Sequence, residues 1–382
     1  MAVDRLLPTD ESVELLALVR DLCEHELAPY AAKAEESETF PRDAFRTLGK
    51  AGLLGLPYPE QFGGAEQPYE VYLQMLEEIA SAWMSVGVGV SVHTMTSYAM
   101  ATYGSDEQQA RLLPDMVGGE LLGAYALSEP QAGSDISSMT SRAVRDGDAY
   151  VLNGTKAWIS HGPYADFFTT FARTSDDPKH GISAFHVPAG TAGLSFGAPE
   201  RKMGLTGSTT TLVNYDDVRI PAANRIGAEG DGMRIALSAL DSGRLGIAAC
   251  AIGLGQAALD LATAYAKERQ QFGQSIADFQ GMQFLLADMA AAVESGRATY
   301  LHAARRRDLG RTFTREAAIA KLVCTDAAMK VTTDAVQVLG GYGYTREFPA
   351  ERYMREAKVT QIFEGTNQIQ RLVISRDLLR SV

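Results

Sequence analysis

The sequence predicts an α+β multidomain fold: an N-terminal α-helical domain over residues 1–121, a middle β domain over 122–228 and a C-terminal helical bundle over 229–382. Helical periodicity at both ends of the chain predicts this order, as do short β-branched runs between turn dipeptides in the middle. The 382 residues are enough to bury a large shared core. A β domain between helical domains leaves clefts at the boundaries, where cofactors tend to bind.

The N-terminal part opens with a helix whose apolar residues recur at intervals of three and four. Thr9 and Asp10 are its cap candidates, and its apolar face consists of Leu15, Leu18, Val19, Leu22 and Cys23. A glycine- and proline-rich loop is predicted over 52–70, followed by a second long helix.

The middle part has two strong turn signals, Asp146-Gly147 and Asn153-Gly154, which predict β-hairpins because both turn residues tolerate positive φ. Further strands are predicted at 167–174, 181–188 and 209–221. Beyond residue 229 the helical period returns on three faces: Met282, Leu285, Leu286, Met289, Ala290 and Val293; Ile319, Leu322 and Val323; and Ile369, Leu372 and Val373.

Composition excludes several classes of partner. The net charge of −12 argues against nucleic acid or an anionic membrane surface. Cys23, Cys250 and Cys324 show neither a disulfide framework nor metal-ligand spacing, which indicates a reducing compartment. The N-terminus lacks signal-peptide character, and the apolar run 245–255 is interrupted by glycines and shorter than the roughly 20 residues of a membrane span. We therefore expect a cytoplasmic protein.

Motifs of other enzyme classes are incomplete. GLGQAA at 253–258, with an acidic residue at 278, matches a dinucleotide-binding fingerprint, but it follows helical residues where the fingerprint requires a strand. Its glycines are predicted to be helix-packing positions. The six histidines lack metal-ligand spacing and no G-x-S-x-G elbow occurs, so no metal site is predicted. The run RRR at 305–307 is interpreted as a solvated helix face.

Other stretches suit a planar, phosphorylated cofactor. Small residues around 132–134 leave backbone amides open to a ligand, although the same run makes an ordinary turn. Trp158 and Ser160 alternate onto one face of a strand, where the indole fits either a core or a planar cofactor. Arg269 and Phe272 can grip a diphosphate and an apolar ring, or be an ordinary surface and core pair.

Two further segments stand near the C-terminus. The run QVLGGYGY at 337–344 ends a helix in glycines and leaves room for a bound group close to the backbone. The run QIFEGTNQIQ at 361–370 places Glu364 between an aromatic residue and a glycine, just before a helix start. Taken alone, that glutamate is by default a surface residue.

Together these stretches resemble the acyl-CoA dehydrogenase family over essentially the whole chain. ALSEPQAGSDISS at 126–138 is similar to the family's first signature, and QVLGGYGYTREFPAERYMREA at 337–357 to its second. RQQFG and IFEGTNQIQRLVISRDLL resemble its arginine–phenylalanine pair and its catalytic segment, and short-chain members are especially similar. The resemblance implies a middle β-barrel or sandwich domain, a C-terminal four-helix bundle and a homotetramer with one FAD per subunit.

The resemblance also implies the residues that bind FAD. Those lying along the flavin of the same subunit are Tyr125, Leu127, Ser128, Trp158 and Ser160, with Ser160 hydrogen-bonding near flavin N5. Those contacting the FAD of a neighbouring subunit are Arg269, Phe272, Gln280, Gln337 and Gly341. Thr366 and Gln368, at the start of the last helix, complete the cofactor site.

The implied reaction is α,β-dehydrogenation of an acyl-CoA thioester in fatty-acid β-oxidation, with electron-transfer flavoprotein as acceptor. Glu364 is implied to remove the pro-R α-proton while the β-hydrogen leaves as hydride to flavin N5. The Glu364 amide and an FAD ribityl hydroxyl are implied to stabilise the enolate charge. The implied substrate contacts are Ser134 for the CoA moiety, Leu240, Asp241 and Arg244 along the acyl channel, and Phe363 and Gly365 beside the base.

Position 243 sharpens this assignment. In some family members the base comes from the helix around this position, and the residue matching Glu364 is then not acidic. Here Gly243 cannot act as a base. Departures from the family pattern are Ser128 and Ser160 for threonine, Phe363 for tyrosine, and Cys250 for the bulky glutamine of short-chain members, whereas Thr360 is retained.

The smaller Cys250 is expected to deepen the acyl pocket, so short, medium and branched acyl groups all remain open. Two alternatives share the fold. An acyl-CoA oxidase would pass electrons to oxygen, although typical oxidases are much longer. A non-catalytic acyl-CoA-binding protein would have lost the flavin. The presence of all the residues assigned to FAD, together with Glu364, argues against this alternative.

Overall fold

The computed structural model describes residues 3–380 and confirms the three-part α+β fold. The N-terminal helices are α1 (Asp10–Leu22), α2 (Ala28–Glu36), α3 (Arg42–Lys50), α4 (Tyr69–Ala82), α5 (Met84–Tyr103) and α6 (Asp106–Val117). Thr9 is the N-cap of α1, since its hydroxyl accepts a hydrogen bond from the Ser12 amide at 3.1 Å. Asp10 is the first helical residue. Helices α4 and α5 are buried along most of their length.

The middle part is one eight-stranded sheet. Its strands are β1 (Gly123–Ala126), β2 (Arg142–Asp146), β3 (Ala149–Ser160), β4 (Phe167–Arg173), β5 (Ile182–Pro188), β6 (Leu194–Phe196), β7 (Thr210–Pro221) and β8 (Arg225–Ile226). The strand order is β6-β7-β3-β2-β4-β5-β8, and β1 pairs in parallel with β4. The predicted strands at 167–174, 181–188 and 209–221 are confirmed as β4, β5 and β7.

One of the two predicted hairpin turns is wrong. Asp146-Gly147 does join β2 to β3, with Asp146 opposite Ala149. Asn153-Gly154 lies instead inside β3, at a shift in register against β7. Gly154 has φ +143°, and a Cβ there would lie 2.3 Å from the Ser141 hydroxyl. The glycine is therefore required by a bulge and a close approach, which a turn dipeptide mimics in sequence.

The C-terminal part is built on α7 (Gly232–Glu268), which packs against α4, α5, α8 and α9. A two-stranded hairpin of β9 (Gln270–Gln271) and β10 (Gln274–Ser275) follows. The remaining helices are α8 (Gln280–Asp308), α9 (Thr314–Leu339), α10 (Ala350–Thr360) and α11 (Asn367–Arg380).

Helix α7 contains the run 245–255 as part of one continuous helix, so the glycines do not interrupt it. By length and composition alone α7 could cross a membrane, but 72% of its apolar window is buried inside the protein. The GLGQAA glycines pack helices together, as predicted: a Cβ at Gly253 would lie 2.2 Å from the Glu77 carbonyl oxygen of α4.

The faces predicted for α9 and α11 differ from the buried ones. On α9, Val323 is exposed, whereas Lys321, Cys324 and Thr325 are buried with a set of alanines. On α11, Leu372 is exposed, whereas the polar side chains of Asn367 and Gln370 are buried. The RRR interpretation is also incomplete, because the guanidinium of Arg307 stacks over the Tyr69 ring at 3.5 Å.

Candidate active site

Glu364 lies in the turn between α10 and α11, in a conformation that few glutamates adopt. Its φ is +52°, and Gly365 follows with φ +87°. A glycine takes a left-handed conformation freely, but a glutamate does so only where its surroundings hold it there. Two successive left-handed residues turn the chain sharply, and α11 begins two residues later.

The carboxylate of Glu364 has one buried oxygen that is left without a partner. Its Oε2 is inaccessible to solvent and has no hydrogen-bond partner within residues 3–380. Buried carboxylate oxygens are normally hydrogen-bonded, and an orphan of this kind is a sign of function. The residue as a whole is only half-buried.

Gly243 of α7 makes the space that this carboxylate occupies. A Cβ at Gly243 would lie 2.5 Å from Oε2 of Glu364 and 2.7 Å from the Met95 sulfur of α5. The position that was considered for an alternative base is therefore directly beside Glu364. The side chains of Glu364 and Met95 fill the room that the missing side chain of Gly243 leaves.

The charges around Glu364 are set by burial and by two cations. Burial raises the pKa of the Glu364 carboxyl to about 7, while Lys321 and then Arg244 lower it. Arg244 is 5% exposed and donates to the Asp241 carboxylate at 2.7 Å. The other oxygen of Asp241 accepts from the Thr314 hydroxyl at 2.6 Å. The carboxylate of Glu364 is thus stabilised enough to ionise near neutral pH.

Two tyrosines lie within electrostatic reach of Glu364 and direct their hydroxyls elsewhere. The hydroxyl of Tyr69 donates to the Ser242 carbonyl at 2.9 Å, and that of Tyr125 donates to the Ala236 carbonyl at 3.3 Å. Burial raises the pKa of Tyr69 to about 12 and also raises the pKa of Tyr125, and the charge of Glu364 adds to both shifts. Both phenols therefore stay neutral and leave the carboxylate unpaired.

The comparisons with known proteins agree with this geometry. Three family models match in order: the acyl-CoA dehydrogenase N-terminal domain over 9–120, the middle domain over 124–218 and the C-terminal domain over 230–379. The chain belongs to the acyl-CoA dehydrogenase family. It is accordingly an oxidoreductase, as the sequence predicted.

Its relatives within the acyl-CoA dehydrogenase family are similar over nearly their whole length. The short-chain specific acyl-CoA dehydrogenase of Clostridium acetobutylicum is 42% identical, across 97% of this chain and 99% of the relative. Among solved structures, butyryl-CoA dehydrogenase from Megasphaera elsdenii is 39% identical with a TM-score of 0.96, covering 99% of this chain and 100% of its own. A chain from the electron transferring flavoprotein structure of Acidaminococcus fermentans is 40% identical with a TM-score of 0.97, over 99% and 100%.

The first acyl-CoA dehydrogenase signature follows β1 and passes close to the segment of β3 that carries Trp158. Tyr125 and Leu127 are buried, Ser128 is half-buried and Ser134 is exposed. The Ser128 carbonyl accepts from the Ala157 amide at 2.8 Å, which ties the signature to β3.

The interpretation of Trp158 as a core residue is wrong. The residue is 63% exposed and has φ +63°, next to a register shift in β3. Ser160 is half-buried, and the buried Ile159 separates it from Trp158. Because the register shift and the positive φ of Trp158 interrupt the regular alternation, the shared face of the indole and the hydroxyl remains a prediction.

The five residues assigned to a neighbouring subunit's FAD are all exposed. They are Arg269, Phe272, Gln280, Gln337 and Gly341. Phe272 is 94% exposed, so it is not a core phenylalanine. Arg269 and Tyr342 line a groove of about 450 Å³ between the end of α7 and the 340–344 turn. An exposed aromatic ring at a hairpin tip is suited to contact with another molecule.

The remaining assigned residues surround the Glu364 turn. Thr366 precedes α11, and its hydroxyl accepts from the Ile369 amide at 3.3 Å, while Gln368 is exposed on the first turn. Leu240 is half-buried on α7, three residues before Gly243. Phe363 packs partly against the main core. Cys250 and Thr360 are both fully buried.

Sequence reasoning missed the residues that hold these loops in place. A buried ion pair joins Lys156 to Glu129 at 2.8 Å, and Lys156 also donates to the Leu127 carbonyl at 3.1 Å. Under the Glu364 turn, Lys321 and Gln370 both donate to the Gly365 carbonyl. One feature of the sequence could have identified Lys321. It recurs at the same helical spacing as the alanines of α9, and a residue on that alanine face is predicted to be buried.

Proposed function

We propose that this acyl-CoA dehydrogenase oxidises short- to medium-chain acyl-CoA thioesters to trans-2-enoyl-CoA, with Glu364 as the catalytic base. The observation that carries the proposal is the unpartnered, buried Oε2 of Glu364 beside Gly243. A carboxylate oxygen without an internal partner is available to a substrate proton. The reaction is the dehydrogenation step of fatty-acid β-oxidation, and the buried free cysteines suit a cytoplasmic enzyme.

FAD is the cofactor that the proposal assigns to this chain, and the residues fit it. The exposed indole of Trp158 offers a flat surface near the end of β3, two residues before Ser160. In the described part of the chain, no atom lies within 4 Å of a Cβ built on Gly340 or Gly341, so a ligand can approach the backbone there. Bound FAD supplies the oxidant, because it accepts the hydride that leaves the β-carbon.

The protein's own residues perform the proton step. Glu364 takes the α-proton onto its unpartnered oxygen. The backbone N–H of Glu364 donates no hydrogen bond within residues 3–380, so it is available to the thioester oxygen as enolate charge develops. Arg244 and Lys321 stabilise the carboxylate before the reaction, and half-buried Phe363 limits access of water to the turn.

The pH dependence of the reaction follows from the Glu364 carboxyl. Because a base must be deprotonated and its pKa is raised to about 7, we expect kcat/KM to rise with pH through neutrality and to fall on the acid side. A carboxylate of ordinary pKa would place this limb near pH 4–5. Stopped-flow flavin reduction over a pH series measures the limb, and a profile flat from about pH 5 to 8 would contradict the assignment.

The proposed substrate class rests on the small size of Cys250 and on the short-chain relative. Cys250 is fully buried on α7 within electrostatic reach of Glu364, and it is smaller than the glutamine of short-chain enzymes. This supports acyl groups somewhat longer or more branched than four carbons. An anaerobic flavin-bleaching series over straight and branched acyl-CoAs tests both the reaction and the chain length. No bleaching with any of them would exclude the proposed function.

Electron-transfer flavoprotein is the proposed acceptor, because a structure of that name contains a chain of nearly the same fold. An acyl-CoA oxidase would instead consume oxygen during turnover. Comparing oxygen uptake with reduction of an electron-transfer flavoprotein by the substrate-reduced enzyme separates the two.

A homotetramer is the proposed assembly, and Phe272 provides its test. Phe272→Ala removes a ring that is 94% exposed and contacts Phe279 edge-on, so the fold of the single chain should be retained. We expect FAD occupancy to drop several-fold, because the ring is proposed to contact the FAD of a second copy. Tyr30→Ala, at a 57% exposed tyrosine of α2, is the control. Full FAD occupancy in the Phe272 variant would contradict a shared cofactor site.

A further inference from the structure

Lys321, in the N-terminal third of α9, is a lysine with no exposed surface. Its ammonium donates to the Gly365 carbonyl at 2.9 Å and to the Asn367 side-chain oxygen at 3.0 Å. A buried lysine is expensive to desolvate and is normally paired with a carboxylate. Here its direct partners are a backbone carbonyl of the catalytic turn and a neutral amide.

The turn that Lys321 contacts is the strained one. Glu364 and Gly365 are both left-handed, and their carbonyls accept hydrogen bonds that keep them so. Gln370 donates to the Gly365 carbonyl at 2.8 Å and to the Glu364 carbonyl at 3.3 Å. The Gly365 carbonyl is therefore held from α9 by a cation and from α11 by an amide.

Asn367 anchors the same arrangement from the other side. Its amide nitrogen donates to the Thr325 hydroxyl at 2.9 Å and to the Asp326 carboxylate at 2.7 Å. Thr325 and Asp326 follow Lys321 on α9 by one helical turn. A buried polar network in which each member has a partner fixes geometry more tightly than apolar contacts alone.

We propose that Lys321 is a positioning residue for the base: its ammonium holds the Glu364–Gly365 turn in its left-handed conformation and supplies the counter-charge that the Glu364 carboxylate lacks. The proposal deepens the proposed function and rests on it. Within residues 3–380, Glu364 has no hydrogen-bonded cation of its own, and Arg244 is already paired with Asp241. Lys321 therefore acts on the base through the backbone and through the field.

The field around the pair has contributions from every neighbouring element. Among the charged groups around Glu364, Lys321 attracts its carboxylate most strongly, ahead of Arg244. Glu364 is in turn the charge that attracts the Lys321 ammonium most strongly. Burial lowers the pKa of Lys321 to about 7. The other groups that face the two are Tyr69 on α4, Tyr125 on β1, Arg244 and Cys250 on α7, and Asp326 on α9.

Lys321→Met tests the proposal because methionine keeps the length of the side chain and removes its charge and its donors. We expect the flavin-bleaching rate at saturating acyl-CoA to drop by roughly 10- to 100-fold, as a displaced base does. The acid limb of the pH profile should also move up by about one pH unit, because loss of the Lys321 ammonium raises the pKa of the Glu364 carboxyl. KM and FAD content should change little.

Two further variants separate the two actions of Lys321. Gln370→Leu removes the neutral hydrogen bond to the same carbonyl, so it should slow bleaching without moving the acid limb. Lys321→Gln keeps a donor but loses the charge, so it should move the limb with a smaller loss of rate. This variant also serves if the methionine variant does not fold.

Lys330→Met is the matched control, because Lys330 lies on the same helix, is exposed and pairs only with Asp334 of its own helix. It should match the wild type in rate and pH profile. Wild-type rate and an unmoved limb in both Lys321 variants would overturn the proposal. If the wild-type enzyme itself fails to bleach with every acyl-CoA, the proposed function fails instead, so the two failures are distinguishable.

Discussion

Glu364→Gln is expected to retain its yellow flavin and to lose bleaching by acyl-CoA, with a decrease in rate of at least roughly 10²–10⁴-fold, the usual contribution of a positioned base. Glutamine preserves the shape of the side chain and cannot accept the α-proton. Because Oε2 has no protein partner within residues 3–380, the substitution disrupts no hydrogen bond at that oxygen. The loss therefore reports on chemistry and not on folding.

Glu347→Gln is the control, since Glu347 is exposed in the loop before α10. It should bleach like the wild type. Stopped-flow absorbance at the flavin band measures both variants, and FAD content and the thermal midpoint establish that each is folded. If the Glu364 variant bleaches at the wild-type rate, another residue must remove the proton.

Gly243→Ala should have the second-largest effect, although it adds one methyl group. That carbon would lie 2.5 Å from the Glu364 Oε2 and 2.7 Å from the Met95 sulfur, closer than unbonded atoms approach. The carboxylate has to move, and a displacement of about 1 Å can lower a rate by roughly 10²-fold. We expect that loss in kcat with FAD retained.

Gly255→Ala supplies the comparison on the same helix, because its added carbon would meet Val293 at an ordinary 3.5 Å. Its activity should stay near that of the wild type. A combined Gly243→Glu and Glu364→Gly variant sharpens the test, since it moves the carboxylate to the opposite wall of the same space. The combined variant should react faster than Glu364→Gly alone. If both variants are equally inactive, the result would contradict the close approach of Gly243 to Glu364.

Local patterns predicted most of the fold. The short aromatic and β-branched runs of β4 and β5 and the capped start of α1 depend on neighbours in sequence, and the structure has them as predicted. Asn153-Gly154 failed because a bulge and a turn both require a glycine at positive φ. Sequence cannot distinguish these two uses of the same dipeptide, since the partner strand β7 lies some sixty residues away.

Some of the site residues could likewise be predicted from sequence, and others could not. Glu364 could be predicted from its motif, but the face of α9 could not, because large apolar residues suggested Ile319 and Val323 where the buried stripe carries Lys321. A lysine is buried only where a distant carbonyl and a distant charge meet it, and neither is visible along α9 itself. The close approach of Gly243 to Glu364 likewise joins segments 121 residues apart and exists only in three dimensions.

Because α7 is one unbroken helix, substitutions at its two ends affect different catalytic centres of the proposed oligomer. Gly243 and the end of the helix at Glu268 are separated by about 37 Å at 1.5 Å per residue. Arg269 and Phe272 are thus far from the Glu364 of their own chain, and in the proposed assembly they serve the cofactor of a neighbour. Each chain then carries halves of two different catalytic centres. Two chains damaged at opposite ends of α7 can complement each other, because a mixed oligomer still contains one centre built entirely from intact halves.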